Sequence, residues 1–74
     1  MTALFILERT LPDGRKRQHD PLSRRKAATA AFFVLTDNYA ADPRSATRVA
    51  RELEDSPTGT EVGAAGYVFR LIEA

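Results

Sequence analysis

Residues 67–73 read YVFRLIE, a run in which Tyr67, Phe69 and Leu71 alternate with Val68, Arg70 and Ile72. Successive side chains of a strand point to opposite sides of its sheet, so this segment is apolar on both. Residues 2–10, TALFILERT, behave alike: Phe5 and Leu7 share one side, Leu4 and Ile6 the other. Strands apolar on both sides belong at the centre of a sheet, each face wanting cover. If the two pair antiparallel, Glu8 can lie opposite Arg70 and Ile6 opposite Ile72, which places one ion pair within an otherwise apolar second face.

Working outward, Leu11-Pro12-Asp13-Gly14 is a turn, since proline presets φ and glycine accepts positive φ. Arg15 to His19 then returns as a second strand with no apolar side chain, an edge ribbon lying in water. The alternative for residues 11–20 is a disordered basic loop. Asp20-Pro21 and Ser23 are good helix starts, and no Gly or Pro follows until after Ala40. Ala28, Ala31, Phe32, Leu35 and Tyr39 line one helical face, widened by Ala27, Ala30, Phe33 and Val34. Asp42-Pro43 opens a shorter helix to about Asp55, buried through Ala46, Val49, Ala50 and Leu53. Pro57, Gly59, Gly63 and Gly66 end the helical part, leaving Thr58 to Val62 and Tyr67 to Glu73 as strands about a Gly-Ala-Ala-Gly loop.

The order is therefore ββααββ in one α+β domain spanning 1–74, a small antiparallel sheet of three or four strands covered on one face by two helices. About 30 helical residues cover one face comfortably, which leaves Leu4, Ile6, Val68 and Ile72 as a homodimer interface. The alternative divides the helices between the faces. Self-association also suits the length, because a 74-residue domain buries little surface. The other usual supports are missing: the chain has no cysteine, and its one histidine does not make a zinc cage. The apolar run Ala3 to Leu7 is too short for a signal peptide or a membrane span, so the expected setting is cytoplasmic, without membrane contact.

Catalysis finds little support. Ser23, Ser45 and Ser56 have no base partner or nucleophile-elbow context. His19, beside Arg15, Lys16, Arg17 and Asp20, has the composition of a minimal ribonuclease base, but an exposed loop histidine is the simpler reading. Asp37, Asp42, Glu52, Glu54 and Asp55 show no metal-loop spacing, and Arg48 with Glu52 and Arg51 with Asp55 read as ordinary helix-surface pairs. No phosphate-cradling glycine loop is present, so neither cofactor nor metal is expected.

Charge is the remaining signal. Residues 9–26 hold seven of eleven Lys and Arg against Asp13 and Asp20, a net of +5, while residues 27–74 net −3 and Glu8 brings the total to +1. Arg24, Arg25 and Lys26 crowd a helix start, where cations oppose the helix dipole, so something other than helix stability holds them there. The block predicts a non-enzymatic nucleic-acid-binding surface made of Arg15, Lys16, Arg17, Arg24, Arg25 and Lys26, acting on backbone phosphates. An acidic protein partner and a plain solubilising ribbon are its competitors. Arg44 to Leu53, RSATRVAREL, resembles the second helix of helix-turn-helix and ribbon-helix-helix proteins, with Arg44, Thr47, Arg48 and Arg51 outward. The order of strand, two helices and hairpin is similar to that of winged-helix proteins, with Gly63 to Gly66 as a short wing. That resemblance implies DNA docking, although the wing carries no cation and RKRQH lacks the apolar alternation of a ribbon-helix-helix strand.

Overall fold

Each strand boundary follows from a turn. In the computed structural model, which describes residues 3–74, β1 (Phe5–Thr10) and β2 (Lys16–Gln18) are joined through Gly14 at φ 92°, and the Leu11 N–H donates to the Arg15 carbonyl. The basic segment is thus an ordered hairpin. At the other end β3 (Val62–Ala64) meets β4 (Tyr67–Glu73) across Ala65 and Gly66, both at positive φ (52° and 84°), the pattern of a two-residue hairpin turn. The sheet order is β2-β1-β4-β3, all neighbours antiparallel. Glu8 stands opposite Arg70 and Ile6 opposite Ile72, the register that pairs the two charges on the second face.

Two helices form the second layer. Helix α1 (Arg24–Asp37) is capped by the Ser23 hydroxyl, which accepts from the Lys26 N–H, and α2 (Pro43–Asp55) by the Asp42 carboxylate, which accepts from Ser45 N–H at 2.7 Å. They pack antiparallel on the same side of the sheet, α1 over β1 and β4 and α2 over β3 and β4. The core between the layers is Leu7, Phe69 and Leu71 from the sheet against Ala27, Ala31, Leu35, Ala46, Val49 and Leu53 from the helices. Both helices on one side is the arrangement that leaves the opposite face bare.

The structure corrects several boundaries. Helix α1 ends at Asp37, not near Ala40: the Asn38 side chain donates to the Val34 carbonyl and Tyr39 turns to φ 53°, which throws its ring fully into solvent and off the apolar face. Residues 58–61 are not strand, because Gly59 at φ 91° makes a turn whose N–H donates to the Leu71 carbonyl. The strand shifts to Val62–Ala64, and Gly63 lies inside it. β2 is shorter than Arg15 to His19 by one residue at each end. Strand β1 starts at Phe5, with Leu4 still accepting from Ala74 N–H; the expected start at Thr2 lies outside the described residues.

Candidate functional site

Two surfaces emerge, on opposite sides of the sheet. The first is the bare face. Alternation puts Leu4, Ile6, Glu8 and Thr10 of the first strand, Val68, Arg70 and Ile72 of β4, and Lys16 and Gln18 of β2 on it. Ile6, Val68 and Ile72 are only partly buried and Leu4 is 48% exposed, whereas their alternates Leu7, Phe69 and Leu71 are sealed under the helices. At its centre the Glu8 carboxylate accepts from Arg70 Nε at 2.7 Å and from Gln18 Nε2 at 3.1 Å. The four residues read as an interface therefore share one uncovered face, around one satisfied ion pair.

That pairing fixes a pH dependence. The hydrogen bond from Arg70, then that from Gln18, hold the Glu8 carboxyl below the ordinary glutamate value, against a smaller opposing effect of burial. A depressed folded-state value stabilises the fold above the unfolded value of ~4.3 and loses that contribution as pH falls through the folded one. Glu8→Gln removes the carboxylate. The stability gap between the two proteins, measured by thermal melts, is expected to be widest near neutrality and to narrow steadily on acidification.

The six cations assigned to the second surface do not stay together. Arg24 is taken by the fold: its guanidinium donates to the carbonyls of Leu53, Glu54 and Ser56 and to Thr58 Oγ1, and lies 5.1 Å over the Phe5 ring. The antiparallel helices bring the start of α1 beside the end of α2, so a cation misplaced for its own dipole is well placed for its neighbour's. Arg15 folds back on Asp13 at 2.7 Å. Lys16 and Arg17 point to opposite sides of β2, Lys16 to the bare face and Arg17 to the helix side. Arg25 and Lys26 remain exposed on the outer surface of α1, where Lys26 and Arg25 flank a shallow apolar groove with Leu22, Ala30 and Phe33.

Among the described residues the ion pairs within 4.0 Å are Arg15–Asp13 and Arg70–Glu8. The expected pairs of Arg48 with Glu52 and Arg51 with Asp55 are not formed, in keeping with the small gain an exposed pair offers against side-chain entropy. Helix α2 does turn Arg44, Thr47, Arg48 and Arg51 outward, and Arg25 shares a cleft between the helices with Thr47 and Arg51. The Gly63–Gly66 segment is no projecting wing: it is the tight turn of a hairpin within the single sheet.

One residue escaped the sequence reading. Arg9 is the direct cross-strand partner of Arg17, and both lie on the helix side of the sheet. His19 extends β2 opposite Leu7, donating its N–H to the Leu7 carbonyl, and therefore shares that side. Arg9 Nε and His19 Nε2 are buried without a hydrogen-bond partner. Burial, then the Arg9 charge, push the His19 imidazole below its usual value, with Asp20 opposing, so the ring is neutral near pH 7. The turn at Leu11–Arg15 was the available signal, because a hairpin closed there pairs Thr10 with Lys16 and hence Arg9 with Arg17.

No protein-family model, curated protein or solved structure matches this chain. Among the described residues no helix is long and apolar enough to cross a membrane.

Proposed function

We propose that this chain is a non-enzymatic binding domain whose docking surface is the bare face of the sheet and whose occupant is a second copy of itself. The observation carrying the reading is the partly exposed set Leu4, Ile6, Val68 and Ile72 on two central strands whose face neither helix covers among the described residues. Apolar groups presented together on a small domain favour a partner, and burying them contributes about 25 cal/mol per Å². Charge favours a second copy over an unlike chain. At its centre the face carries one carboxylate and one guanidinium, Glu8 and Arg70, and a two-fold axis nearby sets each against its opposite, with Lys16 at the margin on β2. Sedimentation over a range of concentrations tests the reading: a reversible monomer–dimer equilibrium supports it.

A second reading rests on the helix layer. Arg25 and Lys26 of α1 and Arg44, Arg48 and Arg51 of α2 are exposed cations with no carboxylate within 4.0 Å among the described residues, a surface suited to nucleic-acid backbone phosphates. An acidic protein surface is the competing ligand for the same groups. Binding to duplex and single-stranded oligonucleotides is expected to weaken steeply with salt, and Arg25→Gln with Lys26→Gln to reduce the log–log slope by about two. Absence of binding at ~50 mM salt would contradict this second reading and leave the sheet-face proposal untouched.

A further inference from the structure

Arg9 and Arg17 stand directly opposite one another across β1 and β2, a placement that like-charge repulsion makes unfavourable. No carboxylate lies within 4.0 Å of either guanidinium among the described residues. Next to them His19 Nε2 is buried without a partner, as is Arg9 Nε. Among the helices and strands, β2 packs only against β1, so neither helix supplies a partner to this side of the hairpin. Three nitrogen-rich side chains thus share one side of two adjacent strands, carrying two unmet hydrogen-bonding atoms and two positive charges with no ion-pair partner among the described residues. We infer that Arg9, Arg17 and His19 form a binding site for a phosphate oxyanion.

The chemistry matches the group. A phosphate offers several acceptor oxygens to two planar guanidinium forks, and a bound dianion or diester removes the repulsion between them. His19 then adds a donor through Nε2 in either its protonated form or the appropriate neutral tautomer. Asp20 is the carboxylate whose charge reaches His19. Two sources supply this chemistry, a free phosphate and the phosphodiester of a nucleic acid. The site lies on the opposite side of the sheet from Leu4, Ile6, Val68 and Ile72, so it stands or falls independently of self-association.

The chain has one histidine, which makes its imidazole a unique NMR probe. The intact protein is titrated with inorganic phosphate and, separately, with an oligothymidylate of about 12 nucleotides, a length typical of single-strand sites. Saturable shifts of the His19 ring signals are expected in at least one titration, and the tighter ligand names the source. Arg17 is exposed, so Arg17→Gln leaves the fold intact; it is expected to weaken binding by at least about tenfold, as loss of a charge-assisted bidentate contact does. Lys16→Gln removes the same charge one residue away on the other face and is expected to change affinity less than about twofold, the residue of long-range attraction. Unmoved His19 signals in both titrations, or equal losses in the two variants, would overturn the site.

Discussion

Arg24→Ala is expected to destabilise the domain by about 2 kcal/mol, roughly the worth of charge-assisted hydrogen bonds lost together with the carbonyls they satisfied. In a domain of this size that lowers the melting temperature by roughly 8–16 °C. The physical reason is local. Leu53, Glu54 and Ser56 offer their carbonyls at the end of α2, and Arg24 meets them from the start of α1 while its plane covers Phe5. Lysine has neither the fork nor the flat face, so Arg24→Lys should recover little of the loss. Arg25→Ala and Lys26→Ala, adjacent in sequence and equally charged but exposed, should stay within ~0.5 kcal/mol of the parent. Thermal melts of the four variants check the contrast. Equal effects across the cluster would show that its charge as a whole matters and that the clasp on α2 does not.

The second large effect concerns association. Leu4→Glu places a carboxylate on the bare face at a position 48% exposed in the single chain. The monomer tolerates it. In a dimer that carboxylate would be buried without a partner, at a cost of several kcal/mol, so the dissociation constant should rise by at least about 100-fold. Far-ultraviolet circular dichroism should be unchanged while sedimentation moves to the single-chain mass of 8.2 kDa. A variant that dimerises like the parent places the contact elsewhere.

How much of this was legible depended on whether local pattern or long-range placement decided it. The central strands were readable because each is a six- or seven-residue β-rich run apolar on both faces, and the register follows the pairing of Glu8 with Arg70 that such strands permit. Helix α2 was readable to the residue from Asp42-Pro43, a cap and a first-turn proline in one dipeptide. The end of α1 was not, since nothing in Thr36-Asp37-Asn38-Tyr39 forbids another turn, and a tyrosine at positive φ is an arrangement propensity argues against. Strand β3 was misplaced because Val62-Gly63-Ala64 carries almost no strand signal; β4 recruits it through pairing.

The cations illustrate the same division more sharply. Composition located the basic block, and two levels of geometry redistributed it. Pleating sent Lys16 and Arg17 to opposite faces, and the antiparallel helix pair turned Arg24 into a clasp. Alternation along an edge ribbon gives the first, cations on both faces; nothing in the charge run gives the second. Arg9 was overlooked for the converse reason: it closes an apolar strand and gains meaning only from Arg17 across the hairpin. Leu4, Ile6, Val68 and Ile72, by contrast, were found as a set because alternation alone assigns them to one face.

Isotope-filtered NMR on an equal mixture of labelled and unlabelled chains addresses the bare sheet face itself. Burial by a second copy predicts intermolecular methyl contacts joining Ile6 and Ile72 of one chain to the Leu4, Ile6, Val68 or Ile72 methyls of the other. Intermolecular contacts confined to the helix layer, or none at a concentration of ~1 mM where even weak dimers are populated, would contradict the account.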